Sequence, residues 1–403
     1  MAVFEIKPYI LESSIQNYQW GTKNDDAFIP KLLGIEPEKD KPYAELWIGA
    51  HKKLSSQVIT DAGKVKFDDF INQYPEEILG KKAAGKFNNQ LPYLFKILSA
   101  AEALSIQAHP NKEQAGELYK KDPQNYPDDN HKPEIAIALG DLTALVGFRS
   151  IDELIETLKY YSEIAEFVGA EFLKHPGSND EEAKYWLKNL YSKLMIKALN
   201  DEDALEIALN NLEKNILSKD EKNEREMLFI ELKRQYGNDV GLLSIFMLNL
   251  VHLKKGEGVF LKAGIPHAYL KGNIVECMAN SDNVVRAGLT PKFKDVKTLV
   301  DILKYERAPV EILGKDSSGC DYVYKTPAPE FEIKKYQIEK DTIRLENSDT
   351  VSIFIIVEGK IRCKWLQKEV EFVKGQTVMI PAELNEYSII ASEDTLIYKA
   401  YIP

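Results

Sequence analysis

Hydrophobic and polar positions divide the chain into a helical stretch between two β-rich stretches. Short apolar runs separated by Pro, Gly, Asn and Asp, such as Leu91–Leu98 and Ile135–Leu139, predict strands in the first part. From Ser150 onward, apolar residues recur at helical spacing. Strand-like alternation returns in the last third, most clearly in Ile361–Trp365. This order predicts a mainly β protein with an inserted all-α domain.

Capping residues and Leu-rich periodicity indicate where the helices lie. Asn111 with Gln114, and Ser150 with Glu153, have the spacing of capping boxes. Further helical periodicity covers three ranges, the last interrupted near residues 237–241: Glu181–Leu199, Asp203–Ile216 and Glu224–Leu250. We therefore expect one β domain from residues 1–149 and 251–320, an inserted helical domain at 150–250, and a second β domain at 321–403.

Composition restricts the kinds of function that are possible. The net charge of −11 argues against general nucleic-acid binding, although a few Lys and Arg residues can still hold one small anion. No run reaches the roughly 18 apolar residues of a membrane span, and the N-terminus lacks the pattern of a signal peptide. The three cysteines, Cys277, Cys320 and Cys363, are too few for a disulfide framework and are expected to be buried. We expect a cytoplasmic protein without membrane or nucleic-acid partners.

The segment Leu104–Pro110 carries polar side chains at every second position. If it forms a strand, Ser105, Gln107 and His109 share one face, because side chains alternate with a period of two. Three polar groups on one face are unusual in a core strand. His109 is either a ligand or a hydrogen-bonded histidine at a strand end, and this segment alone leaves both open.

A turn rich in Asp, Asn and Pro, Tyr126–Glu134, leads into an apolar run. It delivers His131, Lys132 and Glu134 to the start of a predicted strand. Adjacent His131 and Lys132 in a loop favour a site over packing. Glu134 is either a ligand or a surface carboxylate.

The stretch His267–Lys292 concentrates chemically active side chains beside apolar ones. Gly264 and Pro266 precede it and predict a tight turn that presents His267. Its candidates for chemistry are His267, Glu276, Asp282, Arg286 and Lys292. Two histidines with Glu134 provide nitrogen and hard oxygen ligands, a set that suits Zn²⁺ and is open to other divalent ions.

These segments resemble the signature stretches of the type I mannose-6-phosphate isomerase family of the cupin superfamily. The matching patterns are Tyr-x-Asp-x-Asn-His-Lys-Pro-Glu at 126–134 and His-Ala-Tyr-Leu-x-Gly…Glu-x-Met-Ala-x-Ser-Asp-Asn-x-Val-Arg-Ala-Gly-x-Thr-Pro-Lys at 267–292. Supporting matches at 17–21, 44–51 and 105–110 extend the resemblance over most of residues 1–320. It is less specific beyond residue 320.

The resemblance implies a bicupin-like architecture of jelly-roll β domains with one Zn²⁺ per chain. It carries the metal ligands onto Gln107, His109, Glu134 and His267. Chemistry alone would not select Gln107, because neutral amides are uncommon zinc ligands. The family's other active-site groups fall on Ser105, Lys132, Glu276, Asp282, Arg286 and Lys292. Residues 375–383 resemble a cupin motif that lacks a histidine, so we expect no metal in the C-terminal β domain.

The implied reaction interconverts mannose 6-phosphate and fructose 6-phosphate by proton transfer through an enediol or enediolate. It would connect mannose to glycolysis and to GDP-mannose precursors. Ser105 and Lys292 are candidates for holding the phosphate, and Arg286 for stabilising developing charge. The candidates for proton transfer, whose reach and pKa the sequence does not reveal, are Glu276, His131, Lys132 and Asp282. We expect a monomer that binds a small sugar phosphate, with His51 structural or peripheral.

Two other functions remain open from the sequence. A cupin oxygenase would bind Fe(II) through two histidines and a carboxylate, but it does not require the Lys- and Arg-rich end of the long motif. A non-catalytic sugar-binding or storage bicupin has no need of Lys132, Glu276 and Arg286 together.

Overall fold

The strands predicted from the short apolar runs form antiparallel sheets. The computed structural model describes residues 3–177, 179–306, 309–317, 319–347 and 349–403, in which we number strands and helices in chain order. Within these ranges the central sheet has eight strands, in spatial order β16 (Tyr322–Tyr324), β17 (Glu332–Ile338), β24 (Thr395–Tyr401), β19 (Ser352–Glu358), β22 (Thr377–Ile380), β1 (Tyr9–Glu12), β6 (Gln57–Thr60) and β7 (Gly63–Lys66).

A larger sheet lies on one side of the central sheet. Its ten described strands are β12 (Leu248–Leu253), β11 (Leu142–Phe148), β14 (His267–Ala279), β8 (Tyr93–Ala100), β3 (Glu45–Ile48), β2 (Ser14–Gln16), β9 (Ile106–Ala108), β10 (Glu134–Ala138), β13 (Gly258–Leu261) and β15 (Val285–Gly288). A smaller sheet consists of β18 (Ile343–Asn347), β23 (Glu386–Ala391), β20 (Lys360–Trp365) and β21 (Lys368–Val373), and β4 (Ala50–His51) pairs with β5 (Leu54–Ser55).

Alternation along the central sheet produces two separate cores. In β19, Ile353 and Ile355 pack in the core shared with β8 and β14 of the large sheet. Phe354 and Ile356, on the other face, pack in the core shared with β20 and β23 of the small sheet. The β part therefore consists of three stacked sheets, with the large sheet on the outside.

The helices of the described residues fall into short ones among the strands and a cluster in the middle of the chain. They are α1 (Phe28–Leu33), α2 (Phe67–Gln73), α3 (Pro75–Leu79), α4 (Lys81–Lys86), α5 (Lys112–Lys121), α6 (Ile151–Tyr160), α7 (Ser162–Val168), α8 (Asp180–Asn200), α9 (Glu202–Leu217), α10 (Glu224–Tyr236), α11 (Gly241–Ser244) and α12 (Val296–Ile302). Both predicted capping boxes, Asn111–Gln114 and Ser150–Glu153, are present. No described helix combines the length and apolarity needed to cross a membrane.

The prediction of a mainly β protein with inserted helices is confirmed, but three details are wrong. Three short helices occupy residues 67–86, in a part of the chain where we expected mainly strands and loops; Pro75 begins the second of them and Gly80 separates it from the third. The helical stretch predicted to reach Leu250, with a break near residues 237–241, resumes after that break only as the short α11, because Leu248–Leu253 pairs with β11 as a strand. Cys277 and Cys363 are buried as predicted, whereas Cys320 is exposed in a surface turn after Ser317.

The domain bounds remain a proposal, and strand pairing crosses one of them. β1 pairs with β22 on one side and with β6 on the other, so strands from residues 1–149 complete the central sheet built mainly from residues 321–403. The first β segment therefore contributes to both proposed β domains.

Candidate active site and metal centre

The candidate site lies on the face of the large sheet that points away from the central sheet. In β14, Val275 and Cys277 pack into the core between the sheets, so Glu276 points to the opposite face. β10 pairs Glu134 directly with Met278, which puts the Glu134 side chain on the same face as Glu276. The strand register thus brings together carboxylates that lie far apart in the sequence.

Three side chains converge at the centre of this face. His109, Glu134 and His267 are all buried, and their ligand atoms lie within 4.8 Å of one another. His109 Nε2 is 3.2 Å from Glu134 Oε2, and His267 Nε2 is 3.1 Å from Glu134 Oε1. Two nitrogens and a carboxylate at these distances form a donor set for a divalent metal such as zinc.

Backbone carbonyls orient both histidine rings. His109 Nδ1 lies 2.8 Å from the carbonyl oxygen of Asn283, and His267 Nδ1 lies 2.9 Å from that of Ile265. Each Nδ1–H can therefore donate to a carbonyl, which leaves the Nε2 lone pair pointing toward Glu134. Metal-binding histidines generally have this outer hydrogen bond.

The protonation states also suit a bound cation. Burial, together with the charge of Lys132, lowers the pKa of His109 to about 4, so this ring is neutral at pH 7. Burial by itself raises the pKa of Glu134, but Lys132 and the two histidines outweigh it and hold that pKa well below its ordinary value of 4.5. The group therefore offers neutral imidazole and ionised carboxylate, the forms that bind metals.

Two atoms of this group have unmet hydrogen-bonding capacity, as expected where a cation would bind. Among the described residues, neither His109 Nε2 nor Glu134 Oε2 makes a hydrogen bond of acceptable geometry, although both are buried and Oε2 lies 3.2 Å from Lys132 Nζ. The other carboxylate oxygen accepts a hydrogen bond from the buried Tyr269 hydroxyl at 2.9 Å. The Gln107 amide lies beside the group, 3.5 Å from His267 Nε2, and turning it over would present its oxygen to the same point. These residues fit a zinc ion.

A buried lysine between two carboxylates extends the site along the sheet. Lys96 Nζ lies 3.0 Å from Glu276 Oε2 and 3.7 Å from Glu45 Oε2, over the ring of Trp47. Burial lowers the pKa of Lys96, but the two carboxylates outweigh it and raise the net pKa above the ordinary value. Burial raises the pKa of Glu276 more than Lys96 lowers it. Such a carboxyl group holds a proton more readily than usual and is a candidate acid or base.

Asp128 joins the two distant sequence segments of the site. Its Oδ1 accepts from Ser281 Oγ at 2.8 Å, and its Oδ2 accepts from the Asp282 amide at 2.8 Å. Asn283 Nδ2 donates to the Asp128 carbonyl at 2.7 Å, while the Asn283 carbonyl holds His109. The turn before Glu134 and the loop after β14 therefore act as one unit that orients a candidate ligand.

His131 and Asp282 line a neighbouring cavity of about 640 Å³. His131 Nε2 lies 2.7 Å from Glu330 Oε1, a buried carboxylate from the loop before β17. Asp282 Oδ2 lies 2.7 Å from Lys53 Nζ, and its Oδ1 lies 3.6 Å from His51 Nε2. His51, which we expected to be structural or peripheral, thus contacts a candidate catalytic residue.

The side chains expected to bind the phosphate lie around the proposed metal ligands and beyond the end of β15. Arg286 lies opposite Gln107 in the β15–β9 pairing and is partly buried, which lowers the pKa of its guanidinium group. Among the described residues its side chain has no hydrogen-bond or ion-pair partner. Ser105 Oγ lies 3.5 Å from Gln107 Oε1, and Lys132 Nζ lies 3.2 Å from Glu134 Oε2. Lys292 is exposed beyond the end of β15.

Family profiles match more than half of the chain. One, described as phosphomannose isomerase type I, catalytic domain, matches residues 9–151. A second, described as phosphomannose isomerase type I, helical insertion domain, matches residues 162–248. The chain belongs to the type I phosphomannose isomerase family. This assignment disfavours the oxygenase and storage-protein alternatives.

Relatives in the type I phosphomannose isomerase family align with nearly the whole chain. The mannose-6-phosphate isomerase of Homo sapiens is 37% identical, over 97% of this chain and 97% of its own length. That of Rattus norvegicus is 36% identical, over 98% of this chain and 95% of its own length. The mannose 6-phosphate isomerase of Salmonella typhimurium, in a crystal structure with its substrate fructose 6-phosphate and a zinc atom, is 31% identical in sequence. It superposes with a TM-score of 0.86, over 98% of this chain and 99% of its own.

The sequence analysis did not identify several residues that contact and orient the candidate catalytic and metal-binding side chains. Lys96 interrupts the apolar strand Tyr93–Ala100, and a lysine at such a position is a signal that we did not use. Tyr269 and Asp128 stand inside the quoted motifs but carry no chemistry that would single them out. Glu330 comes from a separate part of the chain, so only the folded structure connects it to His131.

Proposed function

We propose that this chain is a zinc-dependent mannose-6-phosphate isomerase that interconverts mannose 6-phosphate and fructose 6-phosphate. The observation that carries the proposal is the buried group of His109, Glu134 and His267, with two hydrogen-bonding atoms unmet among the described residues. Membership of the type I phosphomannose isomerase family supports the same reaction.

Four side chains would hold the metal: Gln107, His109, Glu134 and His267. A bound zinc ion is a Lewis acid that stabilises negative charge developing on substrate oxygens. Tyr269 and the carbonyls of Asn283 and Ile265 hold the ligands in place, so that little reorganisation is needed when the ion binds.

Glu276 is our first candidate for moving the proton between the first and second carbons of the sugar. It is buried, its pKa is raised by burial, and Lys96 at 3.0 Å fixes the orientation of its carboxyl group. Lys132 is a competitor, since its ammonium group lies 3.2 Å from Glu134. His131 and Asp282 line the neighbouring cavity and remain candidates for proton transfer during ring opening.

Cations at the edge of the site would hold the phosphate. Arg286 supplies a guanidinium group without a partner among the described side chains, and Lys292 supplies an exposed point charge. Ser105 supplies a hydroxyl donor beside Gln107. Arg286 also lies where it can stabilise charge on the reacting oxygens, because its strand pairs with the strand of Gln107.

The direct test is an enzyme-coupled assay for fructose 6-phosphate formed from mannose 6-phosphate. We expect turnover by the wild type, loss of turnover after chelation, and recovery on adding zinc. Glu276→Gln should abolish most of the turnover while the protein still binds zinc. Failure of the wild type to form fructose 6-phosphate, with zinc supplied, would refute the proposed reaction.

The cytoplasmic location and the monomeric state remain predictions from the sequence. Size-exclusion chromatography with light scattering measures the second directly, and a mass of twice the chain would contradict it.

A further inference from the structure

A buried carboxylate of the helical part holds the segment that carries the proposed phosphate ligands. Asp239 lies in the loop between α10 and α11 and is 8% exposed. Its Oδ1 accepts hydrogen bonds from the amides of Leu289 at 2.6 Å and Gly241 at 2.7 Å. Its Oδ2 accepts from Lys294 Nζ at 2.8 Å. One side chain thus links the helical part to both ends of residues 289–294.

The backbone at this junction is packed too closely for other side chains. A Cβ added to Gly288 would lie 2.5 Å from Gly241 Cα, and one added to Gly241 would lie 2.7 Å from the Leu289 nitrogen. The start of α11 therefore rests directly on the end of β15. Leu289 has a φ of 53°, in the left-handed region that a branched side chain rarely adopts. Such a conformation persists only where its surroundings hold it, and the Asp239 hydrogen bond does so.

The far end of the segment is also fixed. The Tyr126 hydroxyl donates to Asp295 Oδ2 at 3.0 Å, and the Thr298 amide donates to Asp295 Oδ1 at 3.0 Å. Lys292 lies between these two anchors, and its amide donates to Thr290 Oγ1 at 3.2 Å. Residues 289–295 are therefore held at both ends by carboxylates, directly after Arg286 in β15. We call residues 286–292, which carry Arg286 and Lys292, the phosphate segment.

We propose that Asp239 is a positioning residue for substrate binding: it holds the phosphate segment in the conformation that presents Arg286 and Lys292 to the substrate phosphate. This inference rests on the proposed function. The helical insertion, which provides none of the candidate catalytic groups, would then contribute to substrate affinity through Asp239. A purely local role would need only the bond to Gly241, yet the same oxygen also bonds Leu289 and the second oxygen bonds Lys294.

The test compares Asp239→Ala and Asp239→Asn with the wild type in steady-state kinetics. Asp239→Ala loses three hydrogen bonds to a charged group, so we expect KM for mannose 6-phosphate to rise about tenfold or more, with kcat changed by less than about threefold. Inorganic phosphate, used as a competitive inhibitor, should bind more weakly by a similar factor. Asp239→Asn keeps one oxygen for the two amides and should recover much of the affinity. Zinc content should stay at the wild-type value.

Glu226→Ala is the matched control. Glu226 is 1% exposed, lies in the same helical part, and accepts a hydrogen bond from the Tyr161 hydroxyl at 2.9 Å. Its hydrogen bonds among the described residues are to the helical part, so its loss should lower thermal stability and leave KM unchanged. If Asp239→Ala does not fold, Lys294→Met, which removes only the contact to Oδ2, decides the question by the same KM measurement.

Three outcomes would overturn the inference. The first is a folded Asp239→Ala variant with unchanged KM and unchanged inhibition by phosphate. The second is a rise of KM in Glu226→Ala equal to that in Asp239→Ala. The third, if Asp239→Ala does not fold, is an unchanged KM in Lys294→Met. A wild type that does not isomerise mannose 6-phosphate would instead refute the proposed function, so the two failures are distinguishable.

Discussion

Replacing Tyr269 by Phe removes a single oxygen atom next to the proposed zinc site. The Tyr269 side chain is 2% exposed, and its hydroxyl donates to Glu134 Oε1 at 2.9 Å, the oxygen that also lies 3.1 Å from His267 Nε2. A hydrogen bond to a charged group contributes about 1.5–3 kcal/mol. Because about 1.4 kcal/mol corresponds to a tenfold change in an equilibrium constant, zinc should bind about 10- to 100-fold more weakly.

The assay is competition for zinc against a chelating dye, with turnover of mannose 6-phosphate measured at saturating zinc. We expect Tyr269→Phe to lose affinity but to regain most of its turnover when zinc is in excess. Tyr93→Phe is the control, since Tyr93 is fully buried and its hydroxyl donates at 3.2 Å to the carbonyl of Ala400, away from the site. Wild-type zinc affinity in Tyr269→Phe, or an equal loss in Tyr93→Phe, would refute the reasoning.

Three further predictions concern the proton-transfer group, the phosphate ligand and the C-terminal sheets. Glu276→Gln should lower kcat by about 10²- to 10⁴-fold with zinc content unchanged, and a kcat near the wild-type value would exclude Glu276. In the wild type, kcat/KM should decrease as the pH is lowered, with a midpoint above 4.5, because burial raises the pKa of this proton acceptor. Lys292→Ala should raise KM for mannose 6-phosphate and weaken inhibition by inorganic phosphate, with a smaller effect on kcat; equal affinity would remove Lys292 from the phosphate site. Burial raises the pKa of Glu346, but Lys399 at 2.8 Å outweighs it and lowers the net pKa below 4.5. Glu346 therefore contributes stability that is present above pH 4.5 and lost as the pH falls through the lowered pKa, so Lys399→Met should flatten the dependence of the unfolding free energy on pH, as urea denaturation from neutral pH to about pH 3 would measure.

The main features of the fold follow from the hydrophobic periodicity of the sequence and from its capping and turn residues. The apolar run after Glu134 forms β10 from its first residue, and the capping boxes at Asn111 and Ser150 mark true helix starts. The last residues of the helical stretch predicted up to Leu250 form a strand instead, because pairing with β11 overrides a local preference for helix. Short segments are decided by such tertiary partners, which a local pattern does not contain.

The sequence predicted the candidate site only in part, again because contacts between distant segments are not contained in a local pattern. Histidines and carboxylates in polar turns reveal ligand chemistry, but Gln107 required the family resemblance because its amide has no distinctive chemistry. The roles of Lys96 and Asp239 depend on contacts between distant segments, at 3.0 Å to Glu276 and 2.6 Å to the Leu289 amide. Spacing along the chain does not encode these contacts, so the residues that support and position a site are the hardest to predict.

The central claim is that one zinc ion, held by His109, Glu134, His267 and Gln107, is required for isomerisation of the sugar phosphate. The most direct measurement is to titrate metal-free protein with zinc while recording both bound zinc and the formation of fructose 6-phosphate from mannose 6-phosphate. Activity should rise in proportion to bound zinc and saturate at one ion per chain, and Glu134→Ala should neither retain the ion nor turn over substrate. Full activity in the metal-free protein, or tight zinc binding by Glu134→Ala, would contradict the claim.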